Sequence, residues 1–149
     1  MFWDKDGVIF IKYLKTGETI NGGVYSNYLI ELKEFLKKKR RRKVSSGVQF
    51  LQDNAPSHKA HQTMQLLVDL GFTCVPHPPY SPDLAPSDYH LFPHLKKHLK
   101  GKHFPSDEAL IAEVEGWFTQ QDKTFYLQGL EMLQHRCEKC IELRGEYVE

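Results

Sequence analysis

Four prolines fall within the ten residues Pro78-Pro79-Tyr80-Ser81-Pro82-Asp83-Leu84-Ala85-Pro86-Ser87, and this stretch limits the fold more than any other. Each proline fixes its own φ, lacks an N–H, and disfavours helix at the residue before it. The segment is therefore predicted to be a rigid loop, neither strand nor helix. Upstream of it, strands and helices alternate; downstream, only helical patterns follow.

Upstream, residues 8–14 (VIFIKYL) read as a strand behind the turn dipeptide Asp6-Gly7, with Met1-Phe2-Trp3 as the end of its partner. A helix is expected from Thr19-Ile20-Asn21 onward. Val24, Tyr28, Leu29, Leu32, Phe35 and Leu36 recur there at three- and four-residue spacing. Gly47 precedes a short strand, VQFLQD, ending at Asp53. Residues 58–70 read as a helix closed by Gly71, and FTCVPHP as another strand.

Downstream, Asp88 opens a helix over residues 89–99, ended by Gly101. Pro93 inside it implies either a kink or a restart with proline in the first turn. Ser106 is the expected N-cap of a helix running through Phe118, and a last helix covers about 123–140. The order is α/β. Residues 1–104 carry the mixed part and residues 105–149 a C-terminal helical part.

The 149 residues suffice for one domain with a hydrophobic core, at 40% apolar and 26% charged residues. Nothing approaches the ~18 apolar residues of a membrane span. The opening MFWDKDGVIF is not read as a signal peptide, since no basic region leads into an apolar one. Cys74, Cys137 and Cys140 are too few for a disulfide framework, so a reducing, intracellular setting is expected.

The net charge is +1, yet cations are clustered. Lys37, Lys38, Lys39, Arg40, Arg41, Arg42 and Lys43 are consecutive, and Lys96, Lys97, Lys100 and Lys102 form a second group. Such clusters suit a phosphate backbone, which releases counterions when neutralised. The run serves equally as a charged helix C-terminus or a localisation signal.

Two aspartates carry the chemistry. Asp53 is placed at a strand end, where open α/β sheets form ligand sites, and Asp88 follows the stiff loop. Carboxylates suit Mg²⁺, which prefers hard oxygen ligands. A pair of such ions can clamp both reacting oxygens in phosphoryl transfer. Residue chemistry alone leaves a plainer alternative open, with Asp53-Asn54 making a turn and Asp88 stabilising a helix start.

Gln52-Asp53-Asn54-Ala55-Pro56-Ser57-His58 resembles the His-Asp-Asn-Ala-Pro-x-His segment of mariner-family transposases, with Gln52 in place of histidine. Residues 76–92, PHPPYSPDLAPSDYHLF, resemble that family's second signature. The spacer between the two aspartates, positions 54–87, has the length the family uses. The end, KCIELRGEYVE, is similar to the mariner C-terminus, so the resemblance covers nearly the whole chain.

The resemblance implies a ribonuclease H-like fold of the DDE/D transposase and integrase type, N-terminally truncated and followed by C-terminal helices. It implies metal-dependent DNA cleavage and strand transfer, with Asp53 and Asp88 as catalytic and metal-ligating residues sharing a site. Asn54, His58 and His90 are expected near that site. Mg²⁺ or Mn²⁺, two ions in the intact family site, would be the cofactor. Transposon-end DNA and a second copy would be partners, with no membrane, and the place of action would be the nucleus.

The departures are expected to matter as much. The family's first catalytic aspartate lies on the first strand of the fold, which the stretch ahead of Asp53 does not include. Asp4 and Asp6 align with a turn instead. The N-terminal end-reading modules and the dimer-pairing insertion also lie outside the match. Cys137 replaces a family tryptophan, which should loosen the last helix. The chain is thus expected to be inactive alone. The alternative is a catalytically dead, domesticated DNA-binding or oligomerisation module.

Three weaker constellations remain. Cys137-x-x-Cys140 beside His135 suggests zinc but lacks a second ligand pair. His90, His94 and His98 share a helical face, so two or three could ligate a metal, but they are expected to be ordinary surface histidines. Trp117, Phe118, Phe125, Tyr126 and Leu127 are expected to pack helices rather than stack on bases.

Overall fold

The computed structural model describes residues 1–149, which form two compact units: residues 1–2 with 9–80, and residues 3–8 with 81–149. Each is built around its own buried residues.

At the start of the chain, β1 (Phe2–Asp4) and β2 (Gly7–Phe10) pair as a hairpin, its ends assigned to the first unit and its turn to the second. The Lys5-Asp6 turn is closed by Asp6 N–H donating to Asp4 Oδ1 at 3.0 Å. Gly7 has φ +123°, a conformation that side chains with a β-carbon rarely adopt. The strand stops at Phe10, short of the expected Leu14. Tyr13 and Leu14 are exposed and thus lack the burial that would favour a continued ladder.

In the first unit, helix α1 (Gly22–Lys39) starts where Asn21 caps it, its side chain accepting from Val24 N–H at 2.8 Å. Tyr25, Leu29, Leu32 and Leu36 form its buried face, with Tyr28 and Phe35 at the margin. Val24 and Tyr28 are thus flanking members of the expected stripe, and Tyr25 takes a central place. A short α2 (Arg41–Ser46) follows, then Gly47 at φ +94° and β3 (Val48–Phe50).

Helix is interrupted at Ala60, so the single helix expected over 58–70 is α3 (Pro56–Lys59) and α4 (His61–Asp69). The break lets Thr63 Oγ1 donate to the Ser57 carbonyl at 2.9 Å. Gly71, at φ +79°, ends α4 as expected. β4 (Phe72–Cys74) then lies parallel to β3, with Val48 opposite Phe72 and Phe50 opposite Cys74. This is a βαβ unit, the connection a parallel pair requires. Ile9, Phe10, Leu29, Leu36, Phe50, Leu67 and Phe72 belong to one core.

In the second unit the proline-rich loop contains more structure than expected. Pro82–Leu84 make a 3₁₀ turn, and Ser87–Leu91 form a π turn that runs into α5 (Phe92–Leu99). The π turn resolves the alternatives at Pro93 in favour of a restart. Phe92 N–H bonds the Ser87 carbonyl, and Pro93 occupies the first turn of α5, where a missing N–H costs little.

α6 (Asp107–Gln120) is capped by Ser106 accepting from Ala109 N–H, and α7 (Lys123–Glu142) by Asp122 accepting from Phe125 N–H. Leu91, Leu95, Trp117, Phe118 and Tyr126 are buried, and Phe125 packs edge-on against Trp117. The aromatic cluster therefore packs helices, with Leu127 alone of the expected group left exposed. No helix is long and apolar enough to cross a membrane.

Candidate active site

Asp53 does not end a strand. β3 stops at Phe50 because β4 supplies pairing only as far as Val75 N–H, which bonds the Phe50 carbonyl at 2.8 Å. Asp53 stands beyond that point, in a loop shaped by its own carboxylate. Oδ1 accepts from Ala55 N–H at 3.0 Å, an Asx-type turn, and lies 2.6 Å from His58 Nδ1. The His58 approach is off the line of a well-formed hydrogen bond, so the ring nitrogen stands in close contact with the carboxylate without one. The Asp53 side chain is 58% exposed.

A closed set of contacts frames this loop. The His58 ring packs on Tyr25 with centroids 4.1 Å apart. Tyr25 donates its hydroxyl to Gln52 Oε1 at 2.7 Å, and Gln52 Nε2 donates to the His58 carbonyl at 3.3 Å. Gln52, which departs from the family pattern, is therefore structurally employed. Burial raises the Tyr25 phenol well above its ordinary range, aided by the charge of Asp53 and by Cys74. The hydroxyl thus remains a donor. Asn54 Nδ2 reaches the His77 carbonyl at 2.9 Å, tying the loop to the segment after β4.

Asp88 belongs to the other unit, as the exposed second residue of the π turn. Its neighbours in sequence are all anchored. Trp3 Nε1 donates to Ser87 Oγ at 2.9 Å, the Tyr89 hydroxyl donates to the Gly129 carbonyl, and His90 Nε2 meets the Phe125 carbonyl at 2.8 Å. Burial pushes the Tyr89 phenol up to about 12, against the pull of Arg136, so it too stays protonated.

The expectation that His90 is a surface histidine is corrected. His90 is buried against α7, and its Nε2, facing a carbonyl, must carry the proton and offers a metal no lone pair. Desolvation is the leading cause that lowers its pKa, opposed by the Phe125 hydrogen bond and reinforced by His94. His94 Nδ1 bonds the His90 carbonyl, and His98 Nε2 lies 2.7 Å from Glu113 Oε1. Each histidine of the face thus has its own protein partner.

The cationic run is broken rather than continuous. α1 ends at Lys39, Arg40 leaves helical geometry at φ −140°, ψ 51°, and α2 begins at Arg41. Lys37 pairs with Glu34 at 3.0 Å, and Lys39 donates to the Ile9 carbonyl at 2.9 Å while covering the Phe35 ring. Arg40 Nη1 bonds the Lys39 carbonyl, and Lys43 is half-buried. Lys38, Arg41 and Arg42 remain exposed. Cys137 and Cys140 are free thiols, and no three His, Cys, Asp or Glu side chains group as metal ligands.

Sequence reasoning missed Arg136, Asp83 and Val148, which meet around Tyr89 in the second unit. No local pattern announces that meeting. Asp83 within the proline loop is its one visible sign, as a carboxylate amid residues that favour rigidity.

The first unit holds a parallel βαβ unit with an aspartate just beyond its first strand, and the second unit an aspartate on an anchored turn. With the likeness to solved structures given below, the chain is of the α/β, ribonuclease H-like class. A family model described as transposase (partial DDE domain) matches residues 1–46. The mariner Mos1 transposase of Drosophila mauritiana is 42% identical over 151 residues, spanning 100% of this chain and 44% of that protein. The histone-lysine N-methyltransferase SETMAR of Homo sapiens is 35% identical over 150 residues, spanning 100% of this chain and 22% of that protein.

A structure of the Mos1 transposase catalytic domain with raltegravir and Mg superimposes with a TM-score of 0.94 at 43% identity, covering 99% of this chain and 74% of that one. The Mos1 paired-end complex with Mn gives a TM-score of 0.94 at 43% identity, covering 99% and 43% respectively. The chain belongs to the mariner-family transposases. It spans less than half the length of the curated relatives it matches.

Proposed function

We propose that this chain carries the second and third acidic ligands, Asp53 and Asp88, of a mariner-type DNA cleavage and strand-transfer site, and that by itself it leaves that site incomplete. The carrying observation is a TM-score of 0.94 at 43% identity to the Mos1 catalytic domain, across 99% of this chain. That protein has been solved with Mg and with Mn.

The donor chemistry fits such an ion. Both residues are exposed carboxylates on braced backbone, the hard oxygen donors Mg²⁺ and Mn²⁺ favour. Bound there, the metal would stabilise charge on the reacting phosphate oxygens. The chain's own residues supply preorganisation. Ala55 N–H and His58 fix Asp53 through Oδ1, so its carboxylate is oriented before any ion arrives. Ser87, Tyr89 and His90 are each tied down, so the backbone carrying Asp88 is equally constrained.

DNA is the proposed substrate, a second copy the proposed partner in the complete protein, and the nucleus the proposed compartment. Titration with Mn²⁺, followed by the electron spin resonance of the free ion, tests the metal reading. Asp53→Asn and Asp88→Asn should each abolish binding seen in the parent chain. Unchanged affinity in both variants would overturn it. The parent chain should not nick DNA with either ion, since the ligand that the family places upstream is not among these residues.

A second reading, a DNA-binding module without cleavage, is favoured by Lys38, Arg41 and Arg42, which present exposed cations where the run bends. A segment of this kind also makes up 22% of a human protein named for methyl transfer. Salt-dependent DNA binding that survives Asp53→Asn and Asp88→Asn, with no metal uptake in the parent chain, would select it.

A further inference from the structure

We infer that Arg136 is a positioning residue for Asp88, gripping from α7 the turn that precedes the aspartate and the ring that follows it. The inference rests on the reading of Asp88 as a metal ligand.

Arg136 Nη1 donates to the Asp83 carbonyl at 3.2 Å and to the Val148 carbonyl at 3.4 Å, while its guanidinium carbon stands 4.4 Å from the centre of the Tyr89 ring. Val148 N–H donates to Asp83 Oδ2 at 2.8 Å, so the strap at residues 146–149 closes onto the same turn. Asp83 is 4% exposed, and its Oδ1 has no hydrogen-bond partner. A buried carboxylate needs fixed hydrogen-bond partners, and Val148 N–H, on the strap whose carbonyl Arg136 also holds, supplies one.

The grip is transmitted to Asp88 along backbone hydrogen bonds. Leu84 N–H bonds the Ser81 carbonyl, Ala85 N–H that of Pro82, and Asp88 and Tyr89 N–H both that of Ala85. Pro82 and Pro86 stiffen the same path. Tyr89, next to the aspartate, is fixed at its hydroxyl by Gly129 and on its face by the guanidinium. Lysine cannot reproduce this. Its ammonium could donate to both carbonyls, as the single Nη1 does, but it has no delocalised plane to set against the Tyr89 ring at the same time.

The test compares Mn²⁺ affinity and melting temperature of the full chain in the parent, Asp88→Asn, Arg136→Ala, Arg136→Lys, Asp83→Asn and Leu110→Ala. Amide exchange at residues 88–91 is followed in metal-free protein. Arg136→Ala and Arg136→Lys should each weaken Mn²⁺ roughly tenfold, as loss of a ligand-orienting partner does. In both, exchange at 88–91 should quicken about tenfold, as expected for one lost charged hydrogen bond. Asp83→Asn should stay near the parent, because its amide oxygen still accepts from Val148.

Leu110→Ala, which truncates a half-buried side chain of α6, should lower the melting temperature without either effect. If it weakens Mn²⁺ equally, or if Arg136→Ala leaves affinity unchanged while Asp88→Asn abolishes it, the positioning role is overturned. Binding indifferent to Asp88→Asn would instead overturn the metal reading. Amide exchange still decides the grip in that case, and unchanged exchange at 88–91 in Arg136→Ala refutes it.

Discussion

The imidazole of His90 fills the space that a β-carbon at Gly129 would need, so α7 can lie on the π turn only because residue 129 has no side chain. Alanine is ordinarily the better helix residue by about 1 kcal/mol, whereas overpacking costs about 1–3 kcal/mol. The clash is with a ring already fixed to the Phe125 carbonyl. Gly129→Ala is therefore expected to be net destabilising in urea melting, by up to about 2 kcal/mol once the propensity gain is set against the overpacking cost. In a His90→Ala background the same change should become neutral or stabilising. Stabilisation in the parent background would show that the ring can move aside.

The same histidine sets a pH dependence. Burial lowers its folded-state pKa below the ordinary 6.5, so the unfolded chain binds more protons as pH falls through the region below 6.5. Stability from the neutral ring is present above that value and is lost on acidification. The melting temperature should fall between pH 7 and pH 5 more steeply in the parent than in His90→Gln. Parallel curves would assign the acid sensitivity to other groups.

Within the bent cationic run, Lys38, Arg41 and Arg42 are exposed, whereas Lys37, also exposed, pairs with Glu34 and Lys39 serves as a structural clasp on Ile9. Replacing the first three by alanine should flatten the slope of log K against log salt for DNA by about 0.9 for each phosphate no longer neutralised. Lys39→Ala should instead lower stability, with a smaller change in that slope. A triple variant with an unaltered slope would remove this run from the DNA interface.

Asn21 holds the first turn of α1 through Val24 N–H, and α1 supplies Tyr25, against which His58 packs. Asn21→Ala should cost about 1 kcal/mol, read by urea melting, whereas Asn21→Asp should be near neutral or better. A cost under a few tenths for alanine would mean that water satisfies the turn.

Local signals are legible where local physics decides. Asn21 and Ser106 cap the helices their positions announce, and Gly47 and Gly71 sit at breaks that need positive φ. Asp53 reads as a strand end in sequence but is not one, because the length of β3 is set by what β4 offers it from the far side of α3 and α4. The break at Ala60 and the bend at Arg40 likewise answer to distant partners. Thr63 reaches back to Ser57 and across to Ser26, while α2 carries Val44 onto the core. The joint role proposed for Asp53 and Asp88 has no signature in periodicity or charge. It is readable through motif resemblance alone.

The π turn at Ser87–Leu91 makes chain length itself a determinant. Each of its hydrogen bonds spans one residue more than an α-helical bond. Deleting one residue of the turn after Asp88, between 89 and 91, would let the turn relax into regular helix, continuous with α5. Everything before the deletion would then swing by about 100° around that axis, the angle one residue subtends in an α-helix. Such a chain can keep every packing residue of α5, α6 and α7 and still present Asp88 in the wrong phase. Over this stretch a substitution trades one side chain for another, whereas a frame-preserving loss of a single codon would disconnect the aspartate from its direction.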